Sequence, residues 1–221
     1  MQTVVPFDAV SPKTRLGPVL AAHERARFAR AMLADVLAAV VATGREPTVL
    51  STSPISFEGE LEAASPNTTI RVDDRPLTEA IDAVLEREGG PVAVVMADLA
   101  LATPGALEAL FSADGDVVLA PGRGGGTNAL VVRDDSFRVD FHGASYLDHR
   151  RIADDVGASL ETVDSFRLGT DVDEPADLVE VLVHGTGRSV DCLRSLGFEL
   201  ERTGGRVDVT RLEESTRGGR E

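Results

Sequence analysis

Apolar runs and helically spaced apolar stripes alternate along the chain. Residues 2–7, QTVVPF, are a short apolar run ending around Pro6, which predicts a buried first strand followed by a loop. From His23 to Thr43 apolar residues recur at helical spacing (Phe28, Met32, Val36, Ala39, Val40), and Gly44 supplies the stop. TVLST predicts a strand, a polar loop runs through Pro66, TIRV predicts a short strand, and LTEAIDAVLERE predicts a helix ended by Gly89 and Gly90. The continuous apolar run Val92 to Met96 precedes Asp98, and a helix is expected from about Thr103 and Pro104. DVVLAP reads as another buried strand, GRGGGT as a glycine-rich loop, and NALVVR and FRVDF as further strands. SYLDHRRIADDV then predicts a helix, ASLETV a strand, EPADLVEVLVH a helix with Pro175 in its first turn, and residues 188–196 one more short helix. The polar, glycine-containing residues 211–221 are expected to fray, leaving a single domain over 1–210.

Buried strands alternating with amphipathic helices mean an α/β fold: a mainly parallel sheet with helices on both faces. Ligands of such sheets bind outside the carboxyl ends of the strands. Asp98 and the loop from Pro6 to Leu16 both belong there.

Charge narrows the possible partners. A formal net charge of −15 argues against nucleic acid and against an anionic membrane, because both require a basic footprint. No signal core or membrane-length apolar run is visible, so a cytoplasmic location is expected. Among 22 basic residues the only lysine is Lys13, and acidic excess with lysine almost eliminated suggests a high-salt cytoplasm. In so negative a background a phosphate site needs local cations, from side chains or from a metal. The single cysteine, Cys192, reads as buried packing, and the four dispersed histidines have no zinc spacing.

Five stretches carry candidate chemistry. SPKTRL offers Lys13 as a point charge and Arg15 as a guanidinium fork, both suited to phosphate oxygens; the plain alternative is a solvated basic turn. Asp98, at the mouth of an apolar strand, suits Mg²⁺, which needs only one or two carboxylates beside substrate phosphates. A capping role for Asp98 is less apt, because Thr103 is placed to cap the following helix. In PGRGGGTNAL, Gly124, Gly125 and Gly126 could turn backbone N–H groups toward an anion, with Thr127 and Asn128 adding donors, or could simply form a hairpin turn. In GTDVDEPADL, Asp171 and Asp173 alternate by two and could face one cation; Asp173 could instead cap the helix opened by Pro175. In FHGASYLDH, Gly143 and Ser145 precede a helix whose N-terminus could accept a carboxylate or phosphate, or be plainly capped by Ser145. His142 and His149 show no acidic partner in the sequence and receive no catalytic role.

Taken in order, VVPFDAVSPKTRL, HERARFARAMLADVL, MADLAL, LAPGRGGGTNAL, FHGASYLDH and DVDEPADL resemble the 2-phospho-L-lactate guanylyltransferases of the deazaflavin coenzyme F-420 pathway, over residues 2 to about 183. The resemblance implies a GT-A-like nucleotidyltransferase fold and a reaction of GTP with 2-phospho-L-lactate that yields lactyl-2-diphospho-5'-guanosine and pyrophosphate. By position it implies that Lys13 and Arg15 hold the triphosphate, that Asp98, Asp171 and Asp173 bind Mg²⁺, and that Thr127, Gly143 and Ser145 hold the acceptor's carboxylate. The chain departs from many relatives by having Asp8 in place of a second basic residue and Ala100 in place of a proline. The same residues leave open a nucleotidyltransferase for phosphoenolpyruvate, a molybdenum cofactor or a sugar phosphate, or a non-catalytic nucleotide-binding regulator. A homodimer through the C-terminal portion is compatible with a small α/β protein.

Overall fold

Runs such as VAVV and TNALVV are apolar at every position, so strands built from them must be covered on both faces. The computed structural model describes residues 1–212 and shows how that cover is supplied. In chain order the elements are β1 (Gln2–Phe7), a 3-10 turn at Thr14–Leu16, α1 (Ala22–Ala42), β2 (Pro47–Ser51), α2 (Glu60–Ala64), β3 (Thr69–Val72) and α3 (Leu77–Glu88). There follow β4 (Val92–Val95), α4 (Pro104–Ser112), β5 (Val117–Pro121), β6 (Thr127–Val132), α5 (Ser145–Val156), β7 (Leu160–Thr162) and α6 (Phe166–Gly169). A 3-10 turn at Pro175–Asp177 leads into α7 (Leu178–His184), α8 (Arg188–Ser195), β8 (Phe198–Thr203) and β9 (Arg206–Arg211).

Seven strands form one sheet in the order β3-β2-β1-β4-β6-β5-β7. Only β6 runs antiparallel to its neighbours, β4 and β5; the other pairings are parallel. Alternate side chains feed two cores. Val5, Ala93, Val95 and Val131 pack with Phe28, Met32 and Val36 of α1, whereas Val4, Val92, Val94 and Leu130 pack with Ile81 and Val84 of α3 and Ala153 of α5. Burying each Val or Leu side chain contributes about 1.5–3 kcal/mol, so a shift of one residue in any central strand would reverse its contribution to both cores. Cys192 is buried in the first of them. Among the described residues no helix is long and apolar enough to cross a membrane.

Four expectations change. The stretch FRVDF alternates like a strand, yet Phe137–Phe141 joins no sheet. Its N–H groups go instead to side chains of the flanking helices: Val139 to Asp82, Asp140 to His149 and Phe141 to Thr78. The polar loop before Pro66 contains the short α2, held by Leu61 and Ala64 in the core. The four-residue α6, capped by the Ser165 hydroxyl, was not anticipated. At the C-terminus β8 and β9 form a separate antiparallel ribbon turned by Gly204 and Gly205, both at positive φ (58° and 85°). The expected frayed end falls mostly at 213–221, outside the described residues; Arg211 itself closes β9 and binds Glu24 of α1.

Candidate active site

Lys13 ends the loop after β1 in an unusual backbone state. At φ 54° and ψ 46° it is the one non-glycine residue at positive φ among the described residues. That conformation disfavours a residue with a Cβ by about 1–2 kcal/mol, and it turns the side chain in toward the carboxyl ends of β1 and β4. The ammonium lies 2.6 Å from Asp98 Oδ2 and 2.7 Å from Asp173 Oδ1, with the side chain 13 % exposed. Burial works to lower the Lys13 pKa, but the Asp98 and Asp173 carboxylates outweigh it and hold the ammonium above its ordinary value. Arg15 stands at the lip, Nη1 3.5 Å from Asp173 Oδ2.

Asp98 is free for this role because Thr103 takes the capping one, its hydroxyl accepting from Ala106 N–H at the start of α4. Asp173 is not a cap either. The Asp177 carboxylate accepts from the Asp173 and Glu174 N–H groups, which ties the turn down and leaves the Asp173 side chain for Lys13. Asp171 accepts from Asn128 Nδ2 at 3.0 Å, and the same Asn128 amide donates to Leu168 C=O at 2.9 Å. Gly122 makes room for that amide, since a Cβ there would meet Asn128 Oδ1 at 2.5 Å. Burial, together with the charges of Asp98 and Asp173, pushes the Asp171 carboxyl above the usual carboxylate range.

The three aspartates form no ready-made metal cage. Among the described residues no three His, Cys, Asp or Glu side chains converge on one point, because the Lys13 ammonium sits between Asp98 and Asp173. Asp98 Oδ1 is nonetheless buried with no hydrogen-bond partner, an orphaned anionic oxygen beside two more carboxylates. A hard divalent cation suits that donor set, and Mg²⁺ takes its remaining ligands from water and phosphate.

Beside this cluster opens a cleft of about 420 Å³, lined among others by Lys13, Asp98, Asp173, Thr52, Asp73 and Arg75. Asp73 and Arg75 pair bidentately at 2.9 and 2.6 Å. They were missed in the sequence although Asp73 directly follows β3, at a strand end comparable to that of Asp98.

Gly125, Gly126, Thr127 and Ser145 come together, and neither they nor Gly143 line this cleft. The glycine run is the β5–β6 hairpin turn rather than a cradle of free N–H groups, for Gly125 N–H is donated to Gly122 C=O and Gly126 C=O accepts from Gly122 N–H. Ser145 does not cap α5. It is the first residue of that helix, buried, and its hydroxyl accepts from Thr127 N–H at 2.9 Å. Thr127 Oγ1 lies 2.8 Å from Nδ1 of the buried His149, while Gly143, at φ 58°, has open space beside it. His142 does have an acidic partner, its Nδ1 lying 2.7 Å from Asp140 Oδ1, whereas the His149 ring nitrogens meet Thr127 Oγ1 and Asp140 N–H.

A buried ammonium between a carboxylate at the end of β4 and one in the loop after α6, beside a cleft of about 420 Å³, suits the binding of phosphates. The family described as "Guanylyl transferase CofC like" matches residues 1–212. The chain belongs to this family. CofC-like relatives named 2-phospho-L-lactate guanylyltransferase include one from Haloterrigena turkmenica, 67 % identical over 97 % of this chain and 99 % of that protein. Another is from Natrialba magadii, 61 % identical over 96 % and 99 %. A third, from Methanosphaerula palustris, is 46 % identical over 94 % and 96 %. Solved structures share the CofC chain's fold. A nucleotide-diphospho-sugar transferase from Desulfovibrio desulfuricans G20 superimposes with TM-score 0.70 at 17 % identity over 88 % of this chain and 95 % of the other. A nucleotidyl transferase from Methanothermobacter does so with TM-score 0.57 at 18 % identity over 88 % and 99 %. The mainly parallel, nucleotidyltransferase-type fold expected from the sequence is therefore the one observed.

Proposed function

We propose that this CofC-family chain joins GTP to 2-phospho-L-lactate, giving lactyl-2-diphospho-5'-guanosine and pyrophosphate. The observation that carries the reading is the Lys13 ammonium held 2.6 Å from Asp98 and 2.7 Å from Asp173 at the mouth of the sheet. Two residues 85 positions apart in sequence thereby share one site, as handling a single triphosphate demands.

A phosphate oxygen of the acceptor attacks the α-phosphorus of GTP, and the bond from that phosphorus to the β-bridging oxygen breaks as pyrophosphate leaves. The acceptor phosphate has a second pKa of about 6 and is already ionised at neutral pH, so no general base is required. What the transfer needs is in-line placement and neutralised charge on the α-phosphate and the leaving group. In this reading Lys13 gives up Asp173 to meet the phosphates, and Arg15 closes over them from the lip. Asp98, Asp171 and Asp173 are the residues that would hold Mg²⁺, which when bound supplies the additional positive charge that a triphosphate needs. Guanine lies at the end of the cleft with Thr52, Asp73 and Arg75, where the Asp73 carboxylate can accept from the N1–H and N2–H₂ edge. Thr127, Ser145 and the space beside Gly143 take the acceptor's carboxylate. The cell compartment is the cytoplasm, and the acidic surface is an adaptation to high salt.

The deciding experiment measures pyrophosphate release in molar KCl with Mg²⁺, pairing each nucleoside triphosphate with 2-phospho-L-lactate, phosphoenolpyruvate and 3-phosphoglycerate. Release with GTP and 2-phospho-L-lactate well above every other pair is expected. Preference for another acceptor would transfer the assignment to it, and no release with any pair would point to a nucleotide-binding regulator.

A further inference from the structure

His149 is the one histidine of the chain buried completely, and the reaction as drawn does not use it. Phe141 packs edge-on against its ring at 5.1 Å between centroids, and Phe137 tilts over it at 5.9 Å. Both ring nitrogens are occupied. Asp140 N–H donates to Nε2 at 2.9 Å, and Nδ1 lies 2.8 Å from Thr127 Oγ1.

These two contacts fix the tautomer. A backbone amide can only donate, so Nε2 must present its lone pair and the ring proton must be on Nδ1. Nδ1–H therefore donates to Thr127 Oγ1, and the threonine hydroxyl acts as acceptor toward the ring. Its own proton is left to point elsewhere. Burial pushes the His149 imidazole down to about 4, so at neutral pH no second ring proton disturbs this arrangement. The same accounting applies next door, where the Ser145 hydroxyl accepts from Thr127 N–H. Neither hydroxyl has a further hydrogen-bond partner among the described residues. Two buried hydroxyls of one hydrogen-bonded group, Thr127 Oγ1 and Ser145 Oγ, thus each have a lone pair engaged and a proton unspent. Such a pair is matched to an anion, because a buried donor left without an acceptor is unfavourable.

We infer that His149 is a positioning residue for acceptor recognition: its Nδ1–H turns the Thr127 hydroxyl into an obligate donor, which together with Ser145 binds the carboxylate of the acceptor. The inference rests on the proposed acceptor site at Thr127 and Ser145. It adds a residue that does not touch substrate and sets the direction of a hydrogen bond that does. The segment 137–141, which looks like a strand but pairs with helix side chains, acquires a reason for its path: it delivers the amide that dictates the ring's protonation.

Two measurements test this. In protein labelled with ¹⁵N-histidine, with His149 assigned by comparison with H149Q, long-range ¹H–¹⁵N correlation should show a protonated Nδ1 and a bare Nε2; the opposite tautomer overturns the inference. Kinetically, His149→Gln keeps a carbonyl to accept from Asp140 N–H but offers no donor at the Nδ1 position, whereas His149→Asn places an amide there. H149Q should raise the KM for 2-phospho-L-lactate about 10-fold, the equivalent of one hydrogen bond, with the KM for GTP unchanged. H149N should restore most of the loss, and H149Q should add nothing in a Thr127→Val background. Equal impairment by both variants, a parallel rise in the GTP KM, or an additive effect on Thr127→Val would reduce His149 to packing and refute the proposal. If wild-type protein releases no pyrophosphate with 2-phospho-L-lactate, the proposed function fails, while the tautomer measurement still judges the role of His149 separately.

Discussion

Replacing Lys13 separates two quantities that the structure combines, a charge pair and a strained backbone. Lys13→Ala removes the cation between Asp98 and Asp173 while retaining the left-handed backbone at φ 54°. Stripping one partner from a fully buried pair costs about 3–5 kcal/mol. Here Asp98 and Asp173 are 23 % and 41 % exposed, so solvent screening brings the expected cost to about 2 kcal/mol. Lys13→Gly loses the same pair but relieves about 1 kcal/mol of backbone strain. For a chain of this size each kcal/mol moves Tm by about 2–4 °C, so K13A should melt about 4–8 °C below wild type and K13G only about half as far. Both should lose turnover by about 100-fold or more at saturating GTP, as when one transition-state donor is removed. Lys13→Arg should fail to rescue, because a wide fork does not replace a compact ammonium between two carboxylates. Calorimetry and pyrophosphate release, both in molar KCl, read the two effects independently. Near-wild-type turnover in K13A would remove the ammonium from the mechanism, and equal melting temperatures for K13A and K13G would show that the strain is not there.

Three further outcomes concern the same site, and one concerns the charge of the whole chain. Asp98→Asn should abolish the response of pyrophosphate release to Mg²⁺, and an unchanged metal titration would exclude Asp98 as a ligand. Asp171 carries a folded-state pKa raised first by burial, so the fold loses stability as pH rises through that value and the carboxylate must charge. Asp171→Asn should therefore raise Tm by about 2–4 °C at pH 7 without metal while lowering activity, with the gain vanishing below the carboxylate range; destabilisation at pH 7 would contradict it. Asp73→Asn should shrink the preference for GTP over ITP about 10-fold or more, and an unaltered ratio would place guanine recognition elsewhere. With a net charge of −15, raising KCl from 0.15 to 2 M should raise Tm; a flat or falling curve would refute adaptation to salt.

Much of this was visible in the order of residue types. Periodicity placed α1, α3 and α5 almost to the residue, because each has an apolar stripe broken by a glycine in the left-handed state at or just past its end. Strand-end logic picked out Asp98, and the scarcity of lysine drew attention to Lys13; their meeting at 2.6 Å is what two independent signals for one site should produce. The failures share a cause. Ser145 in front of a helix has the composition of a cap, but tertiary structure spends its hydroxyl on Thr127 N–H. Residues 137–141 alternate correctly for a strand, yet their amides find Asp82, His149 and Thr78 instead of a neighbouring strand. Local pattern encodes the conformation of a segment and not the identity of its hydrogen-bond partner. The β8–β9 ribbon was overlooked for a different reason: Phe198 and Val209 reach the core, but the alternation in FELERT and RVDVTR is short and diluted by charged residues, and the paired glycines at its turn are its other signal.

For the proposed triphosphate substrate, the charge balance of the site favours a metal beside the protein's own cations. Lys13 and Arg15 face Asp98, Asp171 and Asp173, leaving one negative charge in excess. A triphosphate approaching this cluster would meet repulsion, and two basic side chains already engaged with carboxylates could not overcome it unaided. If Lys13 and Arg15 turn to phosphate, Asp173 and Asp98 lose their partners at the same moment. A divalent cation held by those carboxylates would restore their pairing. Asp177 holds the backbone of Asp173 and Asn128 holds the Asp171 carboxylate, so both aspartates have anchors other than Lys13. In the free protein the ion pairs thus hold the aspartates apart from the excess repulsion they would otherwise suffer. In the proposed reaction, nucleotide and metal binding together would replace that internal pairing, so that binding of each would favour binding of the other.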